Sequence, residues 1–225
     1  MERYIRNERM LSPEENRRLR TLRVAIVGCG GLGGYIIEML ARLGVGHLTL
    51  IDGDVFEPSN LNRQIFSTPN NLGEPKAREA KNRVRAINPE VTTEAVYEFL
   101  TDNNAAQILA GHNLIIDALD NIQSRRIVEK AAESLNTPLV FGAIAGWYAQ
   151  VCTILPGDRM VQKIFPDEVN KGAETLLGNP SFTPALAASI QVAEALKVLL
   201  GKGQLLRNKL LMIDLLEHHY EVVEL

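Results

Sequence analysis

Residues 28–33 read GCGGLG, which places Gly28, Gly30 and Gly33 in a G-x-G-x-x-G spacing. Glycines at that spacing let a backbone approach phosphate closely, and a helix starting from the loop turns its positive end toward the anion. The same spacing also serves a tight packing turn, and it leaves the identity of any nucleotide open. Asp52 closes a short apolar run and is placed to accept a hydrogen bond from a ribose hydroxyl. A polar stretch follows with Asp54, Asn60, Arg63 and Gln64, and thirteen residues past Arg63 stands Lys76. A lysine in the first turn of a helix faces the positive end of the dipole, an unfavourable placement that a bound anion relieves. The alternatives for both cations are ordinary solvated side chains. Asp117 and Asp120, in IIDALDN, complete the set. Asp120 can hold a Mg²⁺ that bridges phosphates or can cap the following helix, and Asp117 is read as mainly structural.

These residues need a frame that brings them together. The apolar, β-branched run 23–27 predicts a buried strand ahead of the glycines, and residues 34–43 carry helical periodicity up to Gly44. A second strand at 47–51 makes this a β-α-β unit with parallel strands and a right-handed crossover. Residues 53–74 lack periodicity and read as a long functional loop. Helices are expected at 75–87, 104–110 and 122–135, and strands at 92–97, 114–116 and 139–141. Beyond Gly146 the alternation changes: a strand at 150–155 that can be antiparallel, an irregular stretch at 157–183, an apolar helix at 184–200, and closing strands at 209–214 and 220–223. Ser12-Pro13-Glu14-Glu15 reads as a capped helix start running to residue 22, behind an arm that carries Arg3, Arg6 and Arg9. That arm reads as polar and without an apolar anchor. The expected class is α/β, a Rossmann-like mainly parallel sheet flanked by helices and continued by antiparallel strands, in one domain over 1–225. Parallel sheets place ligands beyond the carboxyl ends of their strands, where the glycine loop, Asp52 and Asp120 all fall.

Composition removes several classes. The chain has 225 residues, 46% hydrophobic and 23% charged, as an ordered globular domain has. With 24 Lys+Arg against 27 Asp+Glu it carries no global basic field, so nucleic acid is an unlikely partner. The polar N-terminus is no secretory signal, and the most apolar helical stretch carries Gln191, Glu194 and Lys197, so no membrane span and a cytoplasmic location are expected. The two cysteines, Cys29 and Cys152, form no C-x-x-C pair and read as packing residues. The four histidines read as structural or surface residues.

Taken in order, R-Y-I-R at 3–6, GCGGLG, LIDGDVFEPSNLNRQ, GEPKA, IIDALDN and the late helix ASIQVAEALKVLLG resemble the ThiF/MoeB/HesA family, bacterial relatives of ubiquitin-activating enzymes. The likeness covers residues 3–201. It implies an adenylyltransferase that uses ATP and Mg²⁺ to adenylate the C-terminal carboxylate of a small β-grasp carrier protein ending in Gly-Gly. It also implies a homodimer. Gly28, Gly30, Gly31 and Gly33 would line the phosphates and Asp52 would bind the ribose. Asp54, Asn60, Arg63, Gln64, Lys76 and Asn121 would contact the nucleotide, and Asp120 would hold Mg²⁺. Arg6 would reach ATP in the opposite subunit. The two C-x-x-C pairs and the loop cysteine of many relatives are missing, so a short form without zinc is expected, and sulfur or thioester transfer by this chain is in doubt. A peptide C-terminus or the carboxylate of a modified tRNA base stays open as the acceptor. A nicotinamide or flavin oxidoreductase would use the glycines and Asp52 but leave Arg63, Lys76 and Asp120 idle. A catalytically silent partner subunit is the third class, and it would be expected to have lost these phosphate ligands.

Overall fold

A computed structural model describes residues 2–166, 169 and 172–225. In it, eight strands form one sheet in the order β3-β2-β1-β4-β5-β6-β7-β8. The first five strands, β1 (Arg23–Val27), β2 (His47–Ile51), β3 (Thr92–Val96), β4 (Leu114–Asp117) and β5 (Leu139–Ala145), run parallel. β6 (Tyr148–Ile154), β7 (Lys209–Asp214) and β8 (His219–Glu224) continue the sheet antiparallel. The expected class holds. β5 extends four residues beyond its expected end because it pairs along its whole length with β6, from Leu139 opposite Ile154 to Ala145 opposite Tyr148. That pairing is non-local, and no periodicity within residues 139–145 announces it.

Helices α1 (Pro13–Leu19), α2 (Gly31–Leu43), α3 (Lys76–Ile87), α4 (Ala105–Leu109), α5 (Ile122–Ser134) and α8 (Phe182–Leu200) cover the sheet. The segment expected to be irregular contains, among its described residues, two short helices, α6 (Met160–Ile164) and α7 (Glu174–Leu177); residues 167, 168, 170 and 171 of it lie outside the described residues. α1 has the expected capping box: the Ser12 side chain accepts from Glu15 N and the Glu15 carboxylate from Ser12 N. It ends at Leu19, which is fully buried, and residues 20–22 turn into β1. α2 begins three residues earlier than expected, directly from the glycine loop. It buries Leu32, Ile36, Ile37 and Leu40 against the sheet, each side chain contributing about 1.5–3 kcal/mol. α8 is long and apolar enough to cross a membrane by length and composition alone. It packs on α2, β5 and β6 instead, with Gln191 and Glu194 buried in polar contacts.

The N-terminal arm departs from expectation. It has two apolar anchors, Tyr4 and Leu11, both buried. The Tyr4 hydroxyl accepts from Asn88 Nδ2 at 2.7 Å, and Arg20 lies 5.0 Å over the ring. A Cβ on Gly44, the left-handed C-cap of α2, would lie 2.6 Å from the same ring. Lone apolar residues in a polar arm carry no periodicity, and only docking onto the helix ends reveals them as anchors.

Candidate functional site

The strand order reverses between β1 and β4, so their two following loops part and leave a crevice at the carboxyl edge of the sheet. Three turns converge there: the glycine loop after β1, Asp52 after β2, and residues 118–121 after β4. Gly28 has φ +101°, and a Cβ on it would strike the Ala118 carbonyl. A Cβ on Gly33 would strike the Gly28 carbonyl, so Gly33 serves the close approach of helix to strand and does not face the cleft. Gly30 and Gly31 do line it, beneath the side chains of Gln64 and Arg63, with hypothetical Cβ distances of 3.4 Å to each. The N-terminus of α2 has no side-chain cap. Its first N–H groups therefore open on a cradle whose bareness suits an anion.

Asp52 is held in place by the loop it faces. Its carboxylate accepts from Cys29 N and Asp54 N, each at 2.8 Å. Burial pushes its pKa up, against those two N–H groups and the charge of Lys76. Burial and the neighbouring Asp52 charge push the Cys29 thiol far up as well, and burial does the same to Cys152, so both stay protonated as packing residues.

The long loop is folded on itself. Phe56 and Phe66 anchor it in the core. Phe56 N donates to Glu74 O, and Lys76 N to Asp54 O, so the loop returns to its own start. This closure places Lys76 in the cleft, 7% exposed, with Nζ 3.2 Å from Asp54 Oδ2. A surface lysine it is not. Arg63 lines the cleft with its guanidinium donating to Ser59 O and Asn62 Oδ1, both at 3.0 Å. Gln64 is buried and its Oε1 has no hydrogen-bond partner among the described residues. Asn179, which also lines the cleft, has an unpartnered Oδ1 in the same way. Asn60 stands apart from the cleft. It is buried, and its Oδ1 accepts from Glu57 N, closing the turn that presents Arg63.

The two aspartates of IIDALDN separate cleanly. Asp117 is fully buried, its Oδ2 3.0 Å from Arg125 Nη1 and its Oδ1 accepting from Leu119 N. Asp120 is exposed at the cleft and has no hydrogen bond or ion pair among the described residues. The cap of α5 is Asn121, whose Oδ1 accepts from Ser124 N at 2.8 Å. Asn121 thereby takes the capping role weighed for Asp120 and leaves that carboxylate free. Among the described residues no group of three or more His, Cys, Asp or Glu could hold a metal. Asp120 alone can supply one ligand to a cation that is otherwise held by phosphate oxygens and water.

Sequence reasoning missed Arg125 and Gln191. Arg125 also donates to Gly142 O and Leu119 O and lies 4.8 Å over the Phe141 ring. Gln191 Nε2 donates to Asp117 O at 2.8 Å. Together they fix the turn that holds out Asp120. The one signal was Gln191, a polar residue inside an apolar helix. Arg6 is not brought to the cleft. Its arm is anchored at Gly44, the far end of α2, a 13-residue helix and hence about 20 Å from the glycine loop.

The sequence profile described as the ThiF family matches residues 3–225. A sulfur carrier protein adenylyltransferase of Thermus thermophilus is 40% identical over 92% of this chain and 80% of its own length. The SAMP-activating enzyme E1 of Haloferax volcanii is 35% identical over 99% of this chain and 84% of its own. The crystal structure of E. coli MccB superimposes with a TM-score of 0.85 at 21% identity, over 99% of this chain and 69% of that one, a likeness of fold. With the glycine cradle, the folded-back loop and the split aspartate pair, these matches show that the chain belongs to the ThiF family.

Proposed function

We propose that this chain adenylates the C-terminal carboxylate of a small β-grasp carrier protein ending in Gly-Gly, using ATP and Mg²⁺ and releasing pyrophosphate. One observation carries the reading: an uncapped helix N-terminus, Arg63, Lys76 and the unpartnered Asp120 share one cleft. An oxidoreductase has no use for the last three. The names of the Thermus and Haloferax relatives support a carrier protein as the acceptor.

The chemistry follows from charge. A carboxylate oxygen forms a bond to the α-phosphorus, and the bond from that phosphorus to the bridging oxygen of pyrophosphate breaks. The nucleophile is already an anion, so no general base is required. The difficulty is gathering negative charge, and the answer is fixed donors aimed at where it develops. The N–H groups of Gly31 and its neighbours, the Arg63 guanidinium and the Lys76 ammonium would do this. Lys76 would exchange its Asp54 partner for phosphate, and Asp52 would accept from the ribose. Mg²⁺, held on the protein side by Asp120, would offset the charge of the phosphates. The site holds no thiol fit to receive the acyl group, so the adenylate would pass to another protein. Zinc has no part in this reading.

Arg6 would complete the site of the opposite subunit in a homodimer, and its distance from its own loop supports that. An apolar groove also supports a protein acceptor. It is lined by Ala145, Tyr148, Leu177 and Met212 and shares Ile144 with the nucleotide cleft. A carrier tail laid in it leads to the phosphates. ATP–pyrophosphate exchange, measured with a panel of Gly-Gly-ending carriers and with none, tests the proposal. Exchange that depends on one carrier is the expected result. Exchange with no carrier, or only with a peptide or tRNA, would move the acceptor, and NAD binding tighter than ATP would end the reading.

A further inference from the structure

The phosphate end of the cleft holds Arg63 and Lys76, whereas around Phe99 it is lined, beside Glu98, by the apolar side chains of Ile51, Leu100 and Leu119. Phe99 is unusual there. It is 64% exposed, an aromatic ring left in water at the edge of a polar pocket. Its neighbour Leu100 is buried in the core. Its backbone is pinned from the side: Asn104 Nδ2 donates to Phe99 O at 3.1 Å, and Asn104 Oδ1 accepts from Thr101 N at 2.7 Å. The ring is thus presented from a fixed turn.

A second observation concerns Gly53, the residue after Asp52. Its φ is not positive, so its backbone conformation does not demand glycine. A Cβ there would lie 2.6 Å from the Phe99 ring. What glycine supplies at this position is room for the ring to lie against the chain beside the ribose-facing carboxylate. Glu98, also at this end, would repel phosphate, so a nucleotide must enter with its triphosphate toward Arg63 and Lys76. Its flat, apolar part then meets the ring.

We propose that Phe99, seated on Gly53, is the residue on which the nucleobase stacks, and that it sets the affinity for ATP. The proposal rests on the nucleotide reading above and adds to it a residue that distinguishes a nucleoside triphosphate from bare polyphosphate. Base–aromatic stacking supplies affinity without touching the phosphates.

The test is equilibrium binding of ATP and of inorganic tripolyphosphate, with Mg²⁺, to wild type, Phe99→Ala and Phe99→Trp. Phe99→Ala should weaken ATP about tenfold, within the range of such stacking, and leave tripolyphosphate unchanged. Phe99→Trp keeps a stacking face and should keep wild-type affinity for ATP. Unchanged ATP binding by Phe99→Ala overturns the assignment while the adenylation reading stands. Equal weakening of both ligands also overturns it, because the ring would then only be shaping the loop. Wild-type protein that binds no ATP would remove both proposals together.

Discussion

The cleft at the carboxyl edge of the parallel strands and the groove that runs over β5 onto the antiparallel strands are opposite in character. At the carboxyl edge of β1, β2 and β4 the cleft is polar, and its walls are locked by hydrogen bonds: Asp52 to two backbone N–H groups, and Arg125 to Asp117 and two carbonyls. Over β5, β6 and β7 the surface is an apolar groove in which Tyr148 and Met212 are 44% and 40% exposed. The difference suits the two tasks of the proposed reaction. Developing charge needs donors that do not reorganise, whereas a protein tail needs apolar area that excludes water. The two surfaces meet at Ile144, so each can be damaged alone.

Damage to the charged surface should be the larger. Asp120→Ala is expected to lower pyrophosphate exchange about a hundredfold or more, the scale of losing an electrostatic stabiliser. Its thermal midpoint should stay put, because Asn121 already caps α5. Normal exchange by this variant would leave Asp120 without a role. Damage to the apolar surface should act on the acceptor alone. Tyr148→Ala should raise the carrier KM about tenfold, the cost of a modest interface hot spot, with ATP affinity unchanged. A matching loss of ATP affinity would mean that the two surfaces are not separate.

The arm at the opposite edge of the sheet is tested by complementation, where the effect read is a partial recovery of activity. Arg6→Ala and Asp120→Ala should each be inactive. Refolded together they would form about half heterodimers with one intact site of two, so activity should return to about a quarter of wild type. No recovery on mixing would put Arg6 to work within its own chain, or nowhere. The smallest effect tests the outer wall of the parallel half, where Glu38 on α2 accepts from Arg83 of α3 and Arg42 of its own helix. Burial raises its pKa, but the hydrogen bonds from Arg83 and Arg42 outweigh this and hold it below the usual value. Its stabilisation is therefore present above the unfolded-state pKa and lost as pH falls through the folded one. Glu38→Gln should cost roughly 0.5 kcal/mol near neutral pH, as ion pairs with half-exposed arginines do, and nothing in strong acid. Denaturant titrations at the two pH values measure this, and a cost that grows in acid would reverse the sign argued here.

Local pattern was enough for much of this molecule. The alternation of β-branched runs with helical periodicity announced the parallel strands. The capping box announced α1, and the order of glycines, Asp52, Arg63, Lys76 and Asp120 announced residues that share a cleft at the carboxyl edge of the sheet. Each of these depends on neighbours within a few residues, or on the rule that parallel strands end on one edge. Other features were settled between distant segments. Lys76 is a cleft residue because the loop folds back to Asp54. Tyr4 is an anchor because Gly44 leaves room for its ring, as Gly53 does for Phe99. Residue type and spacing state what a side chain can do. For Lys76 and Tyr4, which of the possible partners is met is a matter of contacts across 22 and 84 positions of chain, and those exist only once the sheet has assembled.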